Sequence, residues 1–239
     1  MSPGTRPRGA IRWVIVGALS LGALWQIATL PSTTRQGVNS RLSISTLPLY
    51  VKVIDFLHRH AHYQLLAEAI TRGCRSDEER ALAIFAWTRR NIRETPKGWP
   101  VIDDHVLDII IRGYGANDQM ADVFTTLASY AGLPAFWRQR DVALAFVQTE
   151  GRWRMFDVQY GLIFTDADGQ LAEVNALLED PALIKQAAGS LTVNGRSYEQ
   201  CVARMGPFRV PAVLRGRLHM PLPRLLFEAK RLLHRAPGG

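Results

Sequence analysis

The sequence predicts an α+β fold in which helices precede an antiparallel sheet. Up to Pro134 the apolar residues recur at helical spacing, whereas residues 141–174 contain short apolar runs separated by turn signals such as Glu150-Gly151. The chain has 239 residues, of which 47% are hydrophobic. It can therefore bury an ordinary core, and it is too polar for a protein with several membrane spans.

The N-terminal residues predict a membrane anchor. Residues 13–34 carry no charge, Trp13 and Trp25 flank their most apolar part, and three arginines precede it. This pattern is typical of one transmembrane or signal-anchor helix over residues 13–30, so residues 1–35 are interpreted as anchor and linker. No clear small-x-small cleavage motif follows, which favours an uncleaved anchor over a signal peptide. A buried core helix is the remaining alternative.

The charge distribution agrees with a protein that lies close to a membrane. The net charge is +8, with +3 in residues 1–12, +7 in residues 204–239 and −2 between them. A basic nucleic-acid groove would spread over the folded domain, so no nucleic-acid partner is expected. The positive-inside rule predicts a single-pass protein whose residues 36 onward lie outside the cytoplasm, which for a bacterial inner membrane is the periplasmic side.

Four helical segments are predicted between a polar linker at residues 31–45 and the sheet. They cover residues 47–70, 76–93, 105–111 and 117–131. The second is the best marked, because Ser76 and Glu79 form the sequence pattern of a capping box. The fourth follows a turn that contains Gly113 and Gly115.

The sheet is predicted from four short strands, and two further segments follow it. The strands cover Asp141–Gln148, Arg152–Val158, Gly161–Thr165 and Gln170–Val174. A helix is expected over Asn175–Ala188 and a loop after it. Residues 204–239 form a basic extension whose amphipathic helix, Leu222–Arg235, is expected to bind an anionic lipid or polymer.

Four phrases in the order and spacing of a known family carry a resemblance. They are Gly113–Gly115 followed by Asp118-Gln119, then Ala131–Ala135, Gly151–Trp153 and Phe156–Gly161. Together they resemble the transglutaminase-like superfamily, a relative of the papain-like cysteine peptidases, over residues 76–175. The resemblance implies a domain at residues 46–203, in which helices pack on an antiparallel sheet.

In that family a Cys at a helix start, a His on one strand and an Asp on the next carry out acyl transfer, and no cofactor is needed. The matching positions here hold Asn117, Val142 and Asp157, and Phe146 replaces an acidic residue of the His strand. Asn offers no nucleophile and Val no base, so only Asp157 of the implied triad is retained. The resemblance thus implies a degenerate member, a pseudoenzyme whose acyl-transfer activity is not carried over.

The expected function is that of a binding or accessory module of the bacterial cell envelope, with a protein or peptide partner. The candidate ligand-binding residues are Asn117, Asp118, Gln119 and Asp157. The alternative is a hydrolase or acyltransferase with relocated chemistry, using either the Asp118/Asp157 carboxylate pair or Cys74.

No metal site is expected, although His58 and His62 share a helix face, because no third ligand accompanies them. A disulfide between Cys74 and Cys201 and two free thiols are both left open.

Overall fold

The computed structural model describes residues 8–39, 41–103 and 105–233. Its helices are α1 (Arg8–Ala28), α2 (Leu49–Ile70), α3 (Asp77–Asn91), α4 (Val106–Arg112), α5 (Asn117–Tyr130), α6 (Val174–Glu179), α7 (Pro181–Ala188), α8 (Tyr198–Ala203) and α9 (Pro221–Leu233). Its strands are β1 (Pro31–Val38), β2 (Arg41–Pro48), β3 (Arg93–Glu94), β4 (Ile102–Asp103), β5 (Tyr114–Gly115), β6 (Ala135–Gln139), β7 (Ala143–Thr149), β8 (Arg152–Asp157), β9 (Leu162–Ile163), β10 (Thr192–Val193) and β11 (Arg196–Ser197). A 3₁₀ helix covers Arg215–His219. The predicted α+β class is confirmed.

The N-terminal segment differs from its prediction in one respect. Residues 31–45 were expected to be a linker, but they belong to the β1–β2 hairpin, which pairs antiparallel from Pro31↔Pro48 to Val38↔Arg41. Backbone pairing satisfies the peptide groups of these polar residues, so they need no apolar face to form strands. Within the described ranges, no helix has both the length and the apolar character that a membrane crossing requires.

Helix α3 begins where the sequence predicts and is held by two caps. The Glu79 backbone N–H donates to Ser76 Oγ over 3.1 Å, which is half of the predicted capping box. The Glu79 carboxylate does not return to Ser76 and accepts from the Arg75 backbone N–H at 2.6 Å instead. A second cap comes from the β7–β8 turn, because the Asp77 N–H donates to Glu150 Oε1 at 3.0 Å.

The main sheet has the order β6-β7-β8-β9, and all its pairs are antiparallel. The β7–β8 turn is the predicted one, with Glu150 and Gly151 both at positive φ. Strand β6 was not predicted, and Gln170–Val174 makes only isolated bridges through Leu171 and Glu173 instead of the expected strand.

The two faces of the sheet bury separate apolar clusters, because successive side chains of a strand alternate. The helix-side cluster joins Ala143, Ala145 and Val147 of β7 to α3, α4 and α5. The outer cluster joins Val142, Leu144 and Phe146 to α6, α7 and α8. Helix α5 is buried over most of its length, which makes it the central helix of the fold.

The C-terminal half is more ordered than predicted. The helix expected over residues 175–188 is divided into α6 and α7 at Asp180-Pro181, where the Asp180 carboxylate caps Ala182. The loop expected after it contains the β10–β11 hairpin and α8. Residues 204–220, expected as an extension, pack on the domain, because Tyr130 Oη donates to the His219 carbonyl at 2.7 Å. The amphipathic helix α9 follows, as expected.

Candidate functional site

The candidate site lies at the N-terminus of α5, where a tight turn delivers Asn117. Gly113 ends α4 in the left-handed conformation, with φ of 72°. Strand β5 then pairs in parallel with β3, so the turn is fixed to the body of the domain. A Cβ at Gly115 would stand 3.2 Å from the side chains of Ile109 and Gln119, so a larger residue there would have to displace them.

Asn117 is half-buried and its carbonyl oxygen is already engaged. Asn117 Oδ1 accepts from the Asp118 backbone N–H at 2.8 Å and from Gln139 Nε2 at 3.2 Å. The first bond satisfies one of the unpaired N–H groups of the helix start. The second bond links the site to the end of β6.

The two residues that follow Asn117 differ in exposure. Gln119 is buried and bonded to the backbone, whereas Asp118 is partly exposed. Gln119 is buried, accepts from the Ala116 N–H at 3.0 Å and donates to the Ile102 carbonyl at 2.6 Å. The Gln119 side chain therefore holds the turn against β4. Because its amide is buried and already hydrogen-bonded, it is poorly placed to bind a ligand. Asp118 is half-buried, and one of its carboxylate oxygens accepts from the Gln119 N–H at 2.9 Å.

Val142 and Asp157 lie on the outer face of the sheet. Val142 is buried in the outer cluster, whereas α5 packs on the other face. The neighbouring Ala143 is the β7 residue on the helix side, and it pairs with Gln139, whose side chain contacts Asn117. A base directed at Asn117 would therefore stand at position 143 in this geometry.

Asp157 is fully buried and bonded to the C-terminal half. Its carboxylate accepts from Tyr198 Oη at 2.5 Å and from the Tyr160 N–H at 2.9 Å. Burial raises the pKa of the Asp157 carboxyl, although the bonds from Tyr198 and Tyr160 oppose this. Burial and the proximity of Asp157 also raise the pKa of the Tyr198 hydroxyl. These partners are distinct from those of Asp118, so the geometry gives no support to a catalytic carboxylate pair.

The remaining candidates are isolated. Cys74 and Cys201 are both free thiols, the first partly exposed and the second buried in the outer cluster. His58 and His62 place their Nε2 atoms 3.0 Å apart on α2. Among the described residues, no group of three or more His, Cys, Asp or Glu side chains is arranged to hold a metal ion.

Two features of this region were not identified from the sequence. The half-buried Asp122 lies one turn after Asp118 and accepts from Trp137 Nε1 at 3.0 Å. Burial raises its pKa to about 6, against the opposing effects of the Trp137 bond and of Arg215. The four-residue spacing of Asp118 and Asp122 on one helix face was the available sequence signal.

The second feature is a groove of about 500 Å³ between β6 and the chain that precedes and begins the 3₁₀ helix. It is lined by Thr125, Phe136, Trp137, Arg138, Gln139, Arg209, Pro211, Val213, Arg215 and Gly216. Gln139 also contacts Asn117, so the groove and the start of α5 are adjacent. No local sequence pattern predicts the groove, because its two walls are about seventy residues apart in the sequence.

Comparisons with known proteins agree with this architecture. Residues 64–153 match the family model of the transglutaminase-like superfamily core. No curated protein matches the chain.

Two solved structures are similar to part of this chain, which spans less than half the length of each. A provisionally assigned cysteine protease from Cytophaga hutchinsonii is 18% identical, with 50% of this chain and 45% of that one covered and a TM-score of 0.38. A provisionally assigned protease from Parabacteroides distasonis ATCC 8503 is 9% identical, with 54% and 36% covered and a TM-score of 0.34. Residues 64–153 are therefore similar to the core of the transglutaminase-like superfamily.

Proposed function

We propose that the protein is a membrane-attached binding module of the bacterial cell envelope, in which the degenerate transglutaminase-like site binds a partner without catalysis. The observation that carries the proposal is the engagement of Asn117 at the start of α5. An amide stands where the resemblance implies a thiol, and its oxygen is bonded to Asp118 and Gln139. The same helix start retains the polar, half-buried surface of Asn117 and Asp118, which suits recognition of a peptide or protein segment.

A restoration experiment tests whether the site is a degenerate nucleophile position. Because Ala143 lies on the helix side, we expect Asn117→Cys with Ala143→His to give a thiol of lowered pKa. The readout is the rate of iodoacetamide labelling against pH. The matched control is Asn117→Cys with Val142→His, whose imidazole would enter the outer cluster and leave the thiol pKa near its ordinary value.

Two results would count against the proposal. Equal, slow labelling of both double variants would mean that Asn117 is not at a former nucleophile position. Hydrolysis or acyl transfer by the wild-type protein that is lost in Asp118→Asn, or in Cys74→Ala, would favour the catalytic alternative.

Attachment to the membrane is the second part of the proposal. Its support is the surface of α1, where the charge-free residues 13–28 expose Trp13, Leu19 and Trp25. Strand β2 and the first half of α2 add exposed apolar side chains, including Leu42, Ile44 and Ile54. So large an exposed apolar surface is typical of a membrane or protein contact.

Fractionation tests the attachment. We expect the full chain in the membrane fraction and resistant to carbonate extraction, and a chain without residues 1–30 in the supernatant. A phosphatase fused after residue 233 should be active only if the domain lies outside the cytoplasm. Recovery of the full chain in the soluble fraction would contradict this part.

Helix α9 supplies a second contact, with anionic lipid or an acidic polymer. It exposes Leu222, Leu225 and Leu226 and carries Lys230. Its two arginines, Arg224 and Arg231, both pair with Glu228. We expect sedimentation with phosphatidylglycerol vesicles to exceed that with phosphatidylcholine vesicles, and Lys230→Glu to reduce the difference.

A further inference from the structure

The groove beside β6 borders an unpaired strand edge. In the described sheet β6 lies at the end of the order β6-β7-β8-β9, so one of its edges is unpaired within the sheet. The opposite wall contains Arg209, Pro211, Val213 and Arg215, in a chain that bends at residues 212–213 and enters the 3₁₀ helix at Arg215. An unpaired strand edge beside an open groove can accept an extended peptide as an added strand.

The register of β6 presents backbone groups to this gap. Pro134 and Arg140 make backbone bonds to Gln148 and Val142, which defines the positions that face β7. Because the direction alternates along an antiparallel strand, the N–H and C=O groups of Trp137 and Gln139 are directed to the free edge. An incoming strand would find two donors and two acceptors there.

The groove is positively charged, which favours an acidic ligand. Its lining contains the arginines Arg138, Arg209 and Arg215 and no carboxylate. The Arg138 guanidinium is fixed by donating to the Met205 and Pro207 carbonyls at 2.8 and 3.0 Å. Arg209 and Arg215 are exposed. The carboxyl of Asp122, whose pKa is lowered by the charge of Arg215 against the larger effect of burial, offsets only part of this charge.

The aromatic part of the groove favours a peptide over a small inorganic anion. Phe136 and Trp137 line the gap, together with Pro211 and Val213. An extended peptide places alternate side chains on the two sides of its backbone, so acidic residues can reach the arginines while apolar residues contact these side chains. The terminal residues 1–7 and 234–239 of this chain contain arginine and no acid, which makes them poor occupants.

We propose that the groove binds an acidic peptide segment in extended conformation, which pairs with the free edge of β6. This assignment rests on the proposed binding function and names the class of its ligand. Since Gln139 contacts Asn117, the bound segment would run from the start of α5 towards the 3₁₀ helix.

The test uses fluorescein-labelled peptides and the full chain. The probe is Gly-Thr-Glu-Val-Glu-Val-Glu-Thr-amide, and its two controls replace all Glu by Lys or carry N-methyl groups on the three central residues. We expect fluorescence anisotropy to show binding of the probe, and binding at least about tenfold weaker for each control peptide. The Lys control tests the charge and the N-methyl control tests the strand pairing.

Protein variants locate the binding. Arg209→Ala with Arg215→Ala should weaken binding of the probe about tenfold, because two exposed cations are lost from one wall. Arg152→Ala removes an exposed arginine of β8 that lies outside the groove and should leave the affinity unchanged. Hydrogen exchange should slow at the Trp137 and Gln139 amides when the probe is bound.

Several outcomes would overturn the assignment. They are no binding at about 1 mM probe, equal binding of the Lys or N-methyl peptide, unchanged affinity in the arginine double variant, or protection of the Trp137 and Gln139 amides through self-association. An inert wild-type protein with none of the expected binding would reject the groove and leave the non-catalytic function standing. Turnover of the probe would reject the non-catalytic function itself.

Discussion

At the scale of single residues, two titratable groups have pKa values that are shifted by burial in the folded domain. Asp122 on α5 and His219 at the end of the 3₁₀ helix are both shielded from solvent, and burial moves their pKa values in opposite directions. The pKa of Asp122 rises to about 6 and that of His219 falls to about 4. Each group is held in its neutral form more strongly in the folded state than in the unfolded chain.

The Asp122→Asn variant tests how much the charged carboxylate lowers the free energy of unfolding. In the folded protein Asp122 keeps its proton up to about pH 6, whereas the ordinary pKa of an aspartate is 3.8, so the free energy of unfolding falls as the pH rises through this window. The asparagine keeps an oxygen for Trp137 Nε1 and has no charge. We expect it to raise the free energy of unfolding on the order of 2 kcal/mol at pH 7.5 and to leave it unchanged near pH 4. Urea titrations at both pH values give the answer, and equal effects at both would contradict the assignment.

The His219→Phe variant tests a group whose pKa is lowered by burial, so that its effect on stability is lost as the pH falls. The pKa of His219 is about 4 in the folded state, below its ordinary value of 6.5, because of burial and the nearby charges of His105, Arg59 and Arg224. Its stabilising effect is complete above pH 6.5 and is lost as the pH falls to 4. The phenylalanine keeps the ring contact with Tyr63 without titrating.

Between pH 7 and 4.5 the wild type should therefore lose about 2 kcal/mol more than the variant. The measurement is thermal unfolding across that range. Parallel loss in the two proteins would show that His219 is not the responsible group.

At the scale of elements, local signals place the helices, while contacts between elements place the site. The cap of α3 is a local signal that the structure retains at Ser76, yet the β7–β8 turn adds a cap through Glu150. Arg154 of β8 gives a further link, because it is buried and bonds Glu78 of α3 at 2.8 Å. Helix and sheet thus meet through polar groups at one end and apolar groups in the middle.

Ser76→Ala should destabilise the protein by about 1 kcal/mol, because the Glu79 backbone N–H loses its acceptor. Ser76→Thr keeps the hydroxyl and is the matched control, with a change of only a few tenths of a kcal/mol expected. Chemical denaturation measures both. If alanine and threonine behaved alike, the Glu150 cap would be sufficient for α3.

At the scale of the whole molecule, the C-terminal segment is part of the domain. The 3₁₀ helix lies against α5 so closely that a Cβ at Gly216 would stand 2.3 Å from Ser129 Oγ and 3.1 Å from the Thr125 carbonyl. The same segment forms one wall of the groove. The proposed ligand site therefore exists only when residues distant in sequence have docked.

Gly216→Ala should lower the free energy of unfolding by about 1–3 kcal/mol, because the added methyl group overlaps Ser129 and backbone that cannot yield freely. Gly22→Ala, in a helix where the added Cβ meets nothing within 4 Å, is the control and should not destabilise. The measurement is the melting temperature together with peptide affinity. An unaffected Gly216→Ala protein would mean that the C-terminal segment does not dock as described.

The sequence alone determined the α+β class, the positions of α2 to α5 and the β7–β8 hairpin. Helix caps, apolar periodicity and turn residues act over a few neighbours, so the chain displays them directly. Strand β6, the role of Gln119 as a lock for the turn, and the side of the sheet on which Val142 and Asp157 lie were decided by the tertiary structure. These depend on strand register and on which helix covers which face, and a shift of one residue reverses the face without altering the local pattern. The groove was also decided by the tertiary structure. Arg138, Arg209 and Arg215 line one groove only because residues 204–220 pack on the domain.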